Sequence, residues 1–351
     1  MGPHHSAIRS ALALLALLGA PAAGAQVQQP ALSESEVRAI LAHGPWPVPI
    51  KPDPGNRVSG ERQAIELGER LFFDQRLSAG GKFSCGSCHI PERNWTDNRT
   101  RGAALQEVDR NTPTLMNVRL GRRFGWDGAA ESLPAQSVRP ILSARELGSS
   151  ARHVAELVRK DEQLSCRYRK TFGAAPSASD DEAVLADVGK ALAAFQETFE
   201  TPPTPFDRFR NALAQGERIT PLVYSDAALR GAKLFVGKGN CASCHSGPNF
   251  SNGDLRDNGF SVYASQGRTD PGKDGAFKVP TLRHLFLTAP YGHHGEVGTM
   301  ADAVRHYSER ASGEVKPLQL SAAEQSDLVV FLESLSTFNN PWRPDDMNRC
   351  H

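Results

Sequence analysis

Two short runs carry the chemistry legible in this chain, Cys85-Gly-Ser-Cys88-His89 and Cys241-Ala-Ser-Cys244-His245. A Cys-x-x-Cys-His run reads as a c-type haem attachment site. Two thiols about one helical turn apart can add to the two vinyl groups of one haem, and the next residue then places its imidazole beneath the iron. A zinc ribbon would set its two cysteine knuckles roughly 15 to 20 residues apart, whereas 152 residues separate Cys88 from Cys241. A thioredoxin-like pair needs a βαβ setting and no histidine after each pair. Two covalent haem c groups are therefore expected on Cys85, Cys88, Cys241 and Cys244, with His89 and His245 as axial iron ligands.

The far side of each iron is read from an internal repeat. Gly68-x-x-Leu-Phe72 precedes the first run and Gly231-x-x-Leu-Phe235 the second. Downstream, Pro113-Thr-Leu115 stands 15 residues before Gly128, and Pro280-Thr-Leu282 stands 15 before Gly295. Continuing in register, Pro140 lies 12 residues after Gly128 and Tyr307 lies 12 after Gly295. A phenol oxygen binds ferric iron, and a proline side chain offers no ligand atom. The second haem should be six-coordinate and the first open on its Pro140 side. His284, His293, His294, His306 and Met300 are rivals to Tyr307 in the same half. Gln136 and Glu146 follow Trp126 by 10 and 20 residues and bracket Pro140. A carboxylate over an open iron can take a proton from hydrogen peroxide and return it to the distal oxygen as the O–O bond breaks. No histidine occurs between His89 and His153, so nothing nearby in sequence could cap that iron. Taken alone, Trp126 would be a core aromatic and Glu146 a solvated charge. Trp46, Trp95 and Trp342 are read as packing or surface residues.

The elements that must position these groups are helical. Apolar residues at helical spacing predict helices over 35–41, 61–73, 181–200 and 225–236, and a last helix opens with the capping box Ser321-x-x-Glu324. Alternating strand patterns are almost absent, so the expected class is all-α. Thr201-Pro-Pro-Thr-Pro205 should stop the long helix, because proline lacks an amide donor and disfavours helix before it. At 351 residues the chain has room for two or three domains. The expected division is a signal peptide over 1–25, an N-terminal arm over 26–59, a first haem domain over 60–205, a linker over 206–219, a second haem domain over 220–340, and a tail over 341–351. The signal is read from Arg9, the apolar core from Ala11 to Leu18, and Ala23-Gly24-Ala25 before Gln26. No later run is long enough to span a bilayer, so an exported, periplasmic protein is expected. The 40 basic and 39 acidic residues give no basic face that would point to nucleic acid. Cys166 and Cys350 remain, either as one disulfide suited to an oxidising compartment or as unpaired thiols. The terminal Cys350-His351 lacks the first cysteine of a third haem site.

Over residues 60–340 the chain resembles the bacterial dihaem cytochrome c peroxidase superfamily, in particular its MauG and MbnH branch. The resemblance rests on Arg110-Asn-Thr-Pro-Thr-Leu115, Trp126-Asp-Gly128, Pro280-Thr-Leu-Arg283 and Ala289-Pro-Tyr291. It implies two tandem cytochrome c-like domains related by duplication, with Trp126 between the haems and Gln136 and Glu146 at the peroxide pocket. It also implies a calcium ion held by Asn111, Thr288 and Pro290; oxygen atoms are suitable calcium donors. Tyr307 favours the MauG branch, where ordinary peroxidases have methionine, and Ala103 occupies the region of their removable histidine. The branch implies that peroxide oxidises both haems into a shared high-valent state, which then oxidises an aromatic residue of a partner protein. Gly239 replaces the tryptophan through which MauG passes oxidising equivalents, which points to a different protein substrate. The alternatives are a cytochrome c peroxidase fed by a small cytochrome or cupredoxin, and a dihaem electron carrier without catalysis.

Overall fold

The computed structural model describes residues 31–49, 51–260, 275–310 and 314–338, together with Gly2 and Cys350. The expected signal peptide, Trp342 and nearly all of the tail lie outside these residues. The described chain is helix-rich, in line with the all-α expectation. Its helices are α1 (Glu34–Leu41), α2 (Arg62–Phe72), α3 (Leu133–Leu142), α4 (Ala151–Lys160), α5 (Glu162–Phe172), α6 (Asp181–Gln196), α7 (Pro205–Ala214), α8 (Asp226–Val236), α9 (Met300–Glu309) and α10 (Ala322–Glu333). One antiparallel pair, β1 (Leu255–Arg256) with β2 (Phe277–Lys278), is the only named sheet among the described residues. None of these helices is long and apolar enough to cross a membrane.

Two apolar clusters organise the packing. The first gathers Leu67, Leu71 and Phe72 of α2, Val154 and Val158 of α4, Leu164 and Tyr168 of α5, and Val184, Leu192 and Phe195 of α6. The second gathers Ile40 of α1, Phe206 and Phe209 of α7, Leu229 and Phe235 of α8, and Leu328 and Phe331 of α10. The central crossing has the same form in both. Gly68 of α2 meets α6 so closely that a Cβ there would lie 2.0 Å from the Ala191 carbonyl oxygen. Gly231 of α8 meets α10 in the same way, 2.1 Å from the Asp327 oxygen. The glycines of the two Gly-x-x-Leu-Phe segments are thus the points where helix backbones touch, and the phenylalanines fill the space beside them.

Three local outcomes differ from the expectation. Helix α6 ends at Gln196 rather than at residue 200. Asn117 draws the chain away: its amide donates to the Phe199 carbonyl (2.8 Å), and its Oδ1 accepts from the Thr201 amide (2.9 Å). The stretch 206–219, expected as a linker, is largely α7; Pro205 starts it, Thr204 and Asp207 form its capping box, and Phe206 and Phe209 are buried. The arm is also partly ordered by burial, since Trp46 Nε1 donates to the Thr201 carbonyl (2.8 Å) and the ring lies 3.7 Å from the Arg283 guanidinium. Cys166 on α5 is disulfide-bonded to Cys350, which removes Cys350 from any third haem site.

Candidate haem sites

Each Cys-x-x-Cys-His run folds as a single 3-10 turn, Cys85–Ser87 and Cys241–Ser243. The histidine amide then closes back on the first cysteine carbonyl, at 2.9 Å for His89 and 2.8 Å for His245. This places both sulfurs and the imidazole on one short loop. All four cysteines are unpaired. Burial pushes the Cys85 and Cys241 thiols up to about 12 and Cys88 to about 11. Among the described residues no three or more His, Cys, Asp and Glu side chains gather as a metal-ion cluster.

The imidazoles are aimed by backbone carbonyls. His89 Nδ1 bonds the Trp95 carbonyl at 3.0 Å, and His245 Nδ1 bonds the Phe250 carbonyl at 2.9 Å. That arrangement leaves Nε2 for iron, the pattern in which the second ring nitrogen fixes ligand orientation. Trp95 and Phe250 both have positive φ, 59° and 51°. Bulky residues avoid that region, and an outlier of this kind costs of order 1–3 kcal/mol. The strain falls on the two residues whose carbonyls hold the histidines. Free thiols, imidazoles held through Nδ1 and a short loop carrying all three atoms fit a covalently attached haem at each site.

Around the first run the distal groups converge. Gln136 and Pro140 lie one turn apart on α3, and Glu146 sits in the turn that follows. That turn folds back on the helix end: the Leu147 amide donates to the Pro140 carbonyl (3.1 Å), and the amides of Glu146 and Gly148 donate to the Ser143 carbonyl (3.0 and 2.8 Å). The Glu146 charge is near enough to raise both Cys85 and Cys88. Burial in turn raises the Glu146 carboxyl above its ordinary range, against the Ser143 hydrogen bond and the Arg139 charge. Cys88 Sγ lies 3.9 Å from the Ala103 carbonyl, so Ala103 does border this site, with only a methyl group to offer.

Around the second run the counterpart of α3 is α9. Thr299 caps α9 as Ser132 caps α3, and Tyr307 follows its cap by the same number of residues as Pro140. Tyr307 is buried: burial raises its phenol, and the Cys241 and Cys244 charges raise it further. Asn258 Nδ2 donates to the phenol oxygen at 3.2 Å. Three of the rivals have partners of their own, and the other two are buried. His306 stacks on Phe260 (3.8 Å) and contacts the Asn258 carbonyl (3.1 Å), His293 stacks on Phe277 (3.6 Å), His294 bonds the Asp109 carbonyl (2.7 Å), and Met300 and His284 are buried.

Trp126 stands where the halves meet. Its indole Nε1 donates to the Asn111 carbonyl (2.8 Å), its carbonyl accepts from the Lys278 amide (2.8 Å), and its ring lies 6.3 Å from His293. The Asn111 amide donates to the His293 carbonyl (3.0 Å), a direct bond across the halves. Asn111 Nδ2 holds the Arg99 carbonyl (2.7 Å), and Asn98 Nδ2 reaches the Leu287 and Ala289 carbonyls (3.1 and 3.0 Å). The Asn98–Arg99 turn therefore touches Asn111 on one side and the segment carrying Thr288 and Pro290 on the other.

Sequence reasoning left Trp95 as packing and passed over Asn258 and His43. Trp95 and Phe250 act through backbone carbonyls, which any residue type supplies, so no side-chain signal marked them. Asn258, in a Gly/Asp/Asn-rich loop, looked like an ordinary turn residue.

The di-haem cytochrome c peroxidase family model matches residues 62–215. The chain is 34% identical over 317 residues to methylamine utilization protein MauG of Methylorubrum extorquens, covering 86% of each. It is also 34% identical over 287 residues to the cytochrome c551 peroxidase of Nitrosomonas europaea, covering 77% of this chain and 79% of that one. The crystal structure of a MauG-like protein associated with microbial copper homeostasis superposes with a TM-score of 0.64 at 27% identity, covering 84% of this chain and 95% of that one.

Proposed function

The chain belongs to the di-haem cytochrome c peroxidase family, a haem-dependent oxidoreductase with two haems that acts on hydrogen peroxide with a protein redox partner, and from that premise we propose a MauG-like enzyme that oxidises a Trp or Tyr of the partner. The observation that carries this reading is the contrast between equivalent positions on α3 and α9. Pro140, whose carbonyl takes the Leu147 amide next to Glu146, offers no ligand atom, and at the same distance from its cap Tyr307 places a phenol held by Asn258 at 3.2 Å. We further infer two duplicated haem domains, 60–205 and 220–340, with α7 joined to the second. The matching glycine crossings and matching caps of α3 and α9 support this.

In this reading Cys85 and Cys88 hold one haem and Cys241 and Cys244 the other, with His89 and His245 ligating iron through Nε2. Tyr307 Oη would be the side-chain oxygen available to the second haem, and Pro140, at the equivalent place in the first half, would offer none. Bound haem supplies the electrons that reduce peroxide. Glu146 would take a proton from one peroxide oxygen and return it to the other as the O–O bond breaks, and Gln136 would offer its amide as a hydrogen-bond donor beside it. One peroxide takes two electrons and two protons to give two waters, and the partner's aromatic side chains lose the same number. Trp126, bonded to Asn111 on one side and Lys278 on the other, would carry charge between the two sites. Asn111, Thr288 and Pro290 would supply oxygens to a calcium ion at the contact between the halves. Residues 1–25 direct export to the periplasm.

A second reading, an ordinary peroxidase drawing electrons from a small cytochrome or cupredoxin, is favoured by Gly239. A Cβ there would lie 2.8 Å from the Leu234 carbonyl oxygen, so this position cannot carry MauG's exit tryptophan without backbone movement. Optical and EPR spectra of the ferric protein, before and after one equivalent of peroxide, separate the readings. One high-spin and one low-spin haem without a methionine band, and a long-lived oxidised state with near-infrared absorption, are expected. Methionine ligation, or activity that needs prior reduction, would establish the ordinary peroxidase. Two low-spin haems inert to peroxide would leave an electron carrier.

A further inference from the structure

His43 lies in the arm, 202 residues from the second haem run, yet its ring is 3% exposed and meets that run directly. Its Nε2 is 3.0 Å from the backbone carbonyl of His245, and its Nδ1 is 2.9 Å from the Ala39 carbonyl at the end of α1. No backbone amide among the described residues donates to the His245 carbonyl. The same ring stacks on Phe250 at 4.6 Å with an interplanar angle of 29°. Phe250 is the residue whose carbonyl holds His245 Nδ1 and whose φ is 51°. One imidazole therefore touches both ends of the loop that aims the other. At the first site the corresponding residue, Trp95, stacks at 3.8 Å on Phe199, from its own cluster.

We infer that His43 is a positioning residue for the second haem, holding the His245–Phe250 loop so that the His245 imidazole keeps one orientation and a strong Nδ1 hydrogen bond. A strained αL residue persists only where its surroundings over-determine it. His43 supplies that support from outside the haem domain, with Phe206 and Phe235 packed around the ring at 6.5 and 5.8 Å. A hydrogen bond at Nδ1 makes an iron-bound imidazole more basic. When the loop loosens, the ligand becomes less basic and variable in angle, which weakens its hold on ferric iron. The arm does not depend on His43 for attachment, since Trp46 bonds Thr201 and the Arg210 guanidinium bonds the Leu41 carbonyl (2.9 Å).

The inference rests on His245 ligating the second iron, and the wild-type EPR spectrum tests that premise before any variant is made. The experiment then uses full-length dihaem protein carrying His43→Leu, His43→Gln or His43→Asn, read by low-temperature EPR and by redox titration of each haem. Glutamine can place its amide near the position of Nε2 and reach His245; asparagine reaches only the Ala39 side. The expected result is an upward shift of the second haem's midpoint and a broadened, shifted low-spin signal in the leucine and asparagine variants. The glutamine variant should stay near wild type, and the first haem's high-spin signal should not change in any of them. Unchanged second-haem parameters in His43→Leu overturn the inference, as do equal shifts in the glutamine and asparagine variants or equal shifts of both haems. If the leucine variant fails to mature, the glutamine and asparagine pair decides alone.

Discussion

Glu146→Gln replaces a carboxylate with an amide of the same shape that cannot cycle a proton. The turn survives, because its holding bonds are backbone bonds from the amides of Glu146, Leu147 and Gly148. What is lost is general acid–base catalysis, roughly 10²–10⁴-fold in the rate constant with peroxide. That corresponds to about 3–5 kcal/mol of barrier at about 1.4 kcal/mol per tenfold. Stopped-flow mixing of the ferric protein with excess peroxide measures the second-order constant directly. Burial raises the Glu146 carboxyl, so the wild-type rate should climb with pH along an inflection above the ordinary carboxylate range, and the glutamine variant should lack it. The stability effect has the opposite sign. The folded state holds this proton more tightly than the unfolded chain, so stability falls as pH rises from the ordinary carboxylate range through the raised value. The glutamine variant should lose that decline. A variant within roughly threefold of wild type, or one that keeps the inflection, would refute the assignment of Glu146 as the acid–base group.

Tyr307→Phe removes the phenol oxygen and leaves Asn258 without its acceptor; the second haem should turn from low-spin to high-spin by EPR, and a retained low-spin signal would assign the ligand to another residue. Gly68→Ala and Gly231→Ala each drive a methyl group into a carbonyl of the crossing helix. Each should cost about 1–3 kcal/mol or more, read as a lowered urea midpoint, and equal stability to wild type would remove the glycine-crossing argument. Cys166→Ser opens a bond that joins residues 184 apart, and urea unfolding should show a loss of roughly 2–5 kcal/mol that reductant reproduces in the wild type.

Much of the site was legible because attachment chemistry fixes residue type and spacing together. Two thiols and an imidazole must share one short loop, and they do, so both runs could be read without a fold. The repeat extended that reach: counting from Gly128 and Gly295 paired Pro140 with Tyr307, and α3 and α9 carry them at equal distances from their caps. Several helices were less legible. Helix α3 contains Pro134 and Pro140 and reads poorly by periodicity, and α7 begins in a run of prolines that resembles a linker. In α7 burial of Phe206 and Phe209 decides the matter, and burial is a tertiary fact. The Arg283–Asp207 pair was equally hidden. Its bidentate bonds of 2.9 and 2.8 Å join α7 to the segment after Pro280, two stretches with no pattern in common.

The two sites differ in a way that bears on how the partner is reached. In the proposed reading the first site is completed by residues of its own half, Gln136, Pro140 and Glu146. The second draws on the arm through His43, on α7 through Asp207, and on Asn258 for the Tyr307 oxygen. Arg283 links these supports, since its Nε bonds the Pro248 carbonyl (2.6 Å) inside the His245–Phe250 loop and its guanidinium covers Trp46. Breaking a buried ion pair by removing one partner costs about 3–5 kcal/mol, so this loop is held by strong constraints on several sides. In the proposed reading, a His245 fixed in that way would change little in geometry as its iron changes charge, which suits a site that passes electrons. A Cβ at Gly239 would meet the Leu234 carbonyl at 2.8 Å, so the proposed route to a partner would leave elsewhere on the surface around the second haem run, and differences in substrate would then lie in that surface.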